Sequence, residues 1–150
     1  MRKSLVVAMM GALAVGVVAG GTTIAWAQAD AVKERQDNRK QAGAAMRAIK
    51  GIIDANGPTA GAVEQAAKLK TLEAAFVKLF PAGSDKDTKA LPTVWSDWAG
   101  FQAASKAADA AYDKLATAAG SGNMDALKAA FADTGKTCGA CHDKFRAKAN

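Results

Sequence analysis

Sulfur and imidazole are scarce in this chain, whose 150 residues hold two cysteines, Cys138 and Cys141, and one histidine, His142. A zinc site built from thiolate and imidazole wants a fourth such ligand, and there is none. β-Branched residues are few and no strand–helix–strand pattern is visible. That removes the setting in which a thioredoxin-like Cys-x-x-Cys pair works. Acidic residues are missing from the first 27 positions, where Arg2 and Lys3 are the only charges. The rest of the chain carries 18 basic and 14 acidic residues, a net of +4. No basic stripe emerges from them, so the balance points to no nucleic acid and at most favours an acidic protein partner.

What is present is concentrated near the C-terminus. Residues 138–142 read Cys-Gly-Ala-Cys-His, the signature of covalent c-type haem attachment. Cysteines at i and i+3 lie on one helix face and suit thioether bonds to the two haem vinyl groups, while His142 reaches the iron as an axial ligand. One covalent haem c is therefore expected, bonded to Cys138 and Cys141, with His142 on the metal. The competing reading makes the cysteines a disulfide or redox pair and His142 an ordinary surface imidazole.

The N-terminus favours the haem reading. Arg2 and Lys3 form a basic n-region, Leu5 to Ala19 an apolar stretch, and Ala25-Trp26-Ala27 a small-x-small cleavage site. The expected division is a signal peptide over residues 1–27 and a mature domain over 28–150, large enough for a single core. An uncleaved anchor is the alternative, since the apolar stretch approaches the ~20 residues that span a bilayer. Its many Gly and Ala residues favour cleavage. Either way the haem domain lies outside the cytoplasm, in the periplasm, where bacteria assemble c-type haem.

Breaks at Asn56-Gly57-Pro58, from Pro81 to Pro92, and at Gly120-Ser121-Gly122 divide the mature chain into four helical segments. These run from about Ala29 to Ala55, Thr59 to Phe80, Thr93 to Ala119, and Asn123 to Lys148. The fold class is all-α, an antiparallel four-helix bundle. Val94, Trp98, Phe101, Ser105, Ala108, Tyr112 and Leu115 recur at alternating steps of four and three in the third helix. Leu127, Phe131, Thr134, Cys138, Cys141 and Phe145 do so in the fourth. The motif cysteines thus fall on the core face. The interior is rich in alanine, at a loss of ~0.8 kcal/mol for each missing buried CH₂, and a haem lying among the helices supplies apolar volume.

This combination resembles the class II c-type cytochromes, the cytochrome c′ family. Further matches are Val32-Lys33-Glu34-Arg35-Gln36 in the first helix, Leu91-Pro92-Thr93-Val94-Trp95-Ser96-Asp97 before the third, and Arg146 after the haem motif. The resemblance covers essentially the whole mature chain. It implies that His142 is the proximal ligand and that Arg35 and Gln36 approach the haem propionates, as a bidentate guanidinium suits carboxylates. The alternative for Arg35 is a solvated helix charge. Arg146 is implied to flank the proximal face; equally it is a basic residue answering the helix dipole with Lys144 and Lys148. A homodimer through the first two helices is also implied.

At the position one turn after Arg35-Gln36, the family carries the residue that faces the distal side of the iron. It is commonly apolar in five-coordinate members and a ligating Met in low-spin ones. Here it is Arg39, whose guanidinium has no lone pair to offer. Three readings stand. Arg39 bends out to a propionate and leaves the distal face open, which is favoured. It hangs over the iron and donates a hydrogen bond to a bound ligand. Or the helix is rotated, and Arg39 is surface. Met46 is the rival ligand but sits seven residues on, about 10 Å along the helix, and reads better as core filler.

These readings lead to an electron-transfer haem protein with no catalytic residues, which is not an enzyme. Its partners are periplasmic redox proteins, and its open sixth position admits small diatomic gases such as nitric oxide. Gas buffering as the main role, a low-spin six-coordinate carrier, a weak peroxidase relying on Arg39, and a structural bundle stapled by its cysteines are the rivals.

Overall fold

The computed structural model describes residues 20–148, with side chains from residue 29 onward. The apolar stretch from Leu5 to Ala19 lies outside the described residues. The Ala25-Trp26-Ala27 motif lies within a helical backbone whose side chains are not described there. Five α-helices follow in order: α1 Gly20–Asp54, α2 Gly61–Phe76, α3 Thr93–Ser96, α4 Trp98–Gly120 and α5 Met124–Phe145. A 3₁₀ turn, Val77–Leu79, extends α2. The described residues contain no strand, only one isolated antiparallel bridge between Ala90 and Arg146. No described helix is long and apolar enough to cross a membrane.

The four long helices alternate in direction, as their cross-contacts show. Arg35 on α1 reaches Leu79, Asn38 reaches Leu72, and Arg39 reaches Glu73. Lys70 pairs with Asp113 and Ser105 with Glu73 between α2 and α4, and Phe101 of α4 meets Phe145 of α5. Across each pair one number rises as the other falls, from Arg35–Leu79 to Arg39–Glu73, from Lys70–Asp113 to Glu73–Ser105, and from Phe101–Phe145 to Tyr112–Cys138, so the neighbours are antiparallel. Packing is extensive between α1 and α2, α2 and α4, and α4 and α5, and slight between α5 and α1. The bundle is a ring with one loosely closed seam.

Two ends of the predicted third helix behave differently. Asp97 leaves helical geometry at φ −122° and ψ 58° and accepts the Gly100 N–H at 3.0 Å on its carboxylate. Thr93–Ser96 is thereby cut off as a single turn, and Asp97 becomes the N-cap of α4. A Cβ at position 100 would collide with that carboxylate as it is placed, so a larger residue there would require the Asp97 side chain to shift. Asn123 caps α5 as expected, accepting from the Asp125 and Ala126 N–H groups at 3.0 Å each. The fourth helix stops at Phe145 rather than Lys148, because Leu91 and Lys89 capture the chain: Leu91 N–H bonds Phe145 O and Ala147 N–H bonds Lys89 O. The first helix starts earlier than Ala29, at Gly20.

The buried residues form two apolar clusters. The larger gathers Ala42, Ala45, Ile49, Ala62, Ala66, Leu69, Ala108, Tyr112, Leu115, Ala119 and Leu127. Alanine supplies most of its α1 and α2 members, so helices approach closely there. The smaller is aromatic, with Phe80, Val94, Phe101 and Phe145 surrounded by Phe76, Trp95, Trp98 and Cys141. Its rings meet largely edge to face, as Phe76–Phe80 at 5.0 Å and Phe80–Phe101 at 4.7 Å do. Val63 is exposed on α2, and its neighbour Ala62 is buried.

Candidate functional site

Two helices bring the motif residues to the seam. Helix α5 presents Cys138 and Cys141, both half-buried and both free thiols. Thr134, one turn before Cys138, is fully buried, and Cys141 packs against the aromatic cluster, so the thiols lie on the inward face of α5. Burial pushes both thiols above the ordinary cysteine pKa. Against Cys138 the Tyr112 phenol forms a hydrogen bond that works in the opposite direction. His142 follows on the exposed edge of that face. Its pKa is lowered, first by burial and then by the positive charges of Arg146 and Arg39, with Asp143 opposing.

This donor set fits a covalently attached haem. Thioether formation needs two unpaired thiols on one helix face, and iron ligation needs a neutral imidazole with a lone pair. Both are present in five consecutive residues, beside the seam where α5 and α1 touch least.

On α1 the line of deepest burial runs Ala31, Arg35, Asn38, Ala42, Ala45 and Ile49. Beside that line lie Val32, Arg39 and Met46. Those three are half-buried, at the edge of the face. Met46 leans on the alanine-rich cluster.

Arg35 is 4% exposed and ties α1 to the segment after α2. Its Nε donates to Leu79 O at 2.6 Å and Nη2 to Ser84 O at 2.9 Å. Nη2 also donates to the Ser84 hydroxyl, and Nη1 reaches Thr88 Oγ1 at 3.4 Å. The guanidinium lies 4.3 Å from the centre of the Phe80 ring. Gln36 is exposed on the next position of the helix, and Arg146 is exposed where the chain leaves α5, its N–H still bonded to His142 O at 3.0 Å.

Arg39 has an engagement that the sequence reading did not include. Its Nη1 donates to Glu73 Oε2 at 2.9 Å, and its Nε and Nη2 donate to Asn38 Oδ1 at 2.9 and 2.6 Å. The guanidinium carbon stands 3.7 Å from the Phe76 ring centre, a cation–π stack. Glu73 is 6% exposed, and its other oxygen accepts from Ser105 Oγ at 2.7 Å. A buried carboxylate normally demands such a partner set. The charges of Arg39 and Glu73 act on both thiols, with Glu73 raising their pKa and Arg39 lowering it. Glu73, Ser105 and Asn38 were missed as a group. A signal existed for Glu73: Ala62, Ala66, Leu69 and Phe76 set a rhythm of four and three in which position 73 falls inward.

Comparison with known proteins matches the same stretch. The cytochrome c′ family profile covers residues 30–146. Cytochrome c′ of Rubrivivax gelatinosus is 45% identical over 89 residues, spanning 58% of this chain and 69% of that protein. A cytochrome c-556 of Agrobacterium tumefaciens is 32% identical over 119 residues, spanning 78% and 97%. Among solved structures, the nitric oxide complex of a variant cytochrome c′ from Alcaligenes xylosoxidans superposes with a TM-score of 0.74 at 34% identity. It covers 81% of this chain and 97% of that one. Sequence and backbone agree over one and the same bundle, and this chain belongs to the cytochrome c′ family of covalent haem c proteins.

Proposed function

We propose that the protein is an exported, periplasmic haem c protein that performs one-electron transfer and keeps an open sixth position able to take small gases. Residues 1–27 are its signal peptide, and redox proteins of the same compartment are its partners. When bound, the haem supplies a metal centre that cycles between ferric and ferrous. Cys138 and Cys141 hold it, and His142 ligates. Gln36 and the Nη1 edge of Arg35 serve the propionates, and Arg146 guards the His142 side. The protein functions as a homodimer through α1 and α2, and is a carrier rather than an enzyme.

The observation that carries the open site is the engagement of Arg39. Its donors are turned to Glu73, Asn38 and α2, and it has no lone pair with which to ligate. Met46, the rival, packs on the alanine-rich cluster. Gas binding as the main role is the second reading, favoured by the nitric oxide complex of the Alcaligenes relative. The ferric absorption spectrum tests the open site. A high-spin five-coordinate spectrum is expected, and a long-wavelength sulfur-to-iron band would revive Met46 and contradict the proposal. Titrating the ferrous protein with nitric oxide separates the two roles: saturable binding is expected, and its absence removes the gas-binding reading.

A further inference from the structure

Among the described residues, the buried charged groups outside the motif are Arg35 and Glu73, and Glu73 is the carboxylate. Glu73 is held between Arg39 and Ser105, at the level where the alanine-rich and aromatic clusters meet. Its opposite flank opens on a groove of about 210 Å³ between α2 and α4, lined by Glu73, Ala74, Ser105, Lys106 and Asp109. A larger groove of about 410 Å³, between α4 and the start of α5, touches none of these groups. Glu73 therefore links a solvent-connected groove to the Arg39 guanidinium, and the charges of both are felt at Cys138 and Cys141. The Arg39 charge is felt at His142 as well, so the pair stands within electrostatic reach of the haem motif.

We propose that Arg39 and Glu73 form a proton-accepting, anion-holding pair that makes the pocket a site for small weak acids, ligands that arrive as HX and bind as X⁻. This rests on the open sixth position argued above. The H–X bond breaks, its proton goes to a Glu73 carboxylate oxygen, and X⁻ takes a hydrogen bond from Arg39, whose partner changes from one anion to another. The pocket starts as guanidinium, carboxylate and HX and ends as guanidinium, X⁻ and carboxylic acid. Its net charge is unchanged, and no buried charge is left unpaired. No oxidant or reductant is required. A bound haem would supply a ferric Lewis acid for X⁻, while Arg39 and Glu73 hold the anion and its proton. Ser105 keeps its bond to Glu73 in either protonation state, and the groove leaves that carboxyl in contact with solvent. An apolar side chain at position 39 would offer X⁻ no donor.

Cyanide is the probe, added to ferric holoprotein and followed by absorbance, with carbon monoxide on the ferrous protein as the proton-free reference. Glu73→Gln preserves the hydrogen bonds but takes no proton, and should slow cyanide association on the order of 100-fold. Arg39→Leu combined with Glu73→Gln, which leaves no carboxylate stranded, should lower cyanide affinity relative to carbon monoxide by roughly tenfold or more. A high-spin ferric protein whose cyanide binding is unmoved by either change overturns the inference while leaving the open site standing. Losses shared equally by carbon monoxide assign the pair a packing role and also overturn it. A six-coordinate ferric spectrum before cyanide is added overturns the open site and this inference together.

Discussion

Arg39 is where a local rule is broken, since a cation sits on a face that neighbouring positions bury. Its compensation is on another helix: Glu73 at 2.9 Å and the Phe76 ring at 3.7 Å. Arg39→Leu strands a carboxylate that is 6% exposed. With the arginine half-exposed, the cost should be about 2 kcal/mol, below the ~3–5 kcal/mol of a fully buried pair. The double change Arg39→Leu with Glu73→Leu should recover most of that loss. Denaturant midpoints of the two singles and the double check this, and strictly additive losses would contradict the pairing. Cys138, Cys141 and His142 were legible because their chemistry is written in five adjacent residues. Glu73 carried only a spacing signal, because which face of α2 turns inward is decided by helices distant in sequence.

At the scale of the element, the junction at Asp97 governs how α4 begins and where α5 ends. Its carboxylate caps Gly100 N–H and meets Lys144 Nζ at 2.6 Å. These partners, Lys144 first and then the Gly100 N–H, hold its pKa below the ordinary aspartate value. Folding therefore favours the deprotonated form. The stability this adds is whole above the unfolded-chain value of ~3.9 and drains away as pH falls through the lower folded value. Asp97→Asn keeps a capping side chain and removes the titration. The thermal midpoint of the parent should fall more steeply between pH 5 and pH 3, taken as roughly spanning that range, than that of the variant. Parallel profiles would contradict the assignment. The four helices and their order were readable from apolar spacing and from Pro and Gly breaks. Their ends were less so: the sequence offers no periodic cue that Asp97 interrupts a helix, or that Leu91 and Lys89 reach across to stop α5 at Phe145.

For the whole molecule, the uneven core sets the behaviour. Alanine accounts for Ala42, Ala45, Ala62, Ala66, Ala108 and Ala119 of the larger cluster, and the α5–α1 seam is slight. The helices by themselves bury little apolar surface for their length, and each missing CH₂ forgoes ~0.8 kcal/mol. Chain made without haem should therefore melt broadly, with weak cooperativity by calorimetry. A sharp two-state transition in the haem-free protein would contradict a core completed by the cofactor. The architecture was legible at this scale, since a C-terminal Cys-x-x-Cys-His in a four-helix pattern leaves few arrangements that bury both thiols.

One bonded fact decides the rest, that Cys138 and Cys141 carry a porphyrin, and the mass of the intact purified protein reads it directly. The account predicts a denatured chain heavier than its polypeptide by one haem, with the increment lost when both cysteines are replaced by alanine. A mass equal to the bare polypeptide would contradict it.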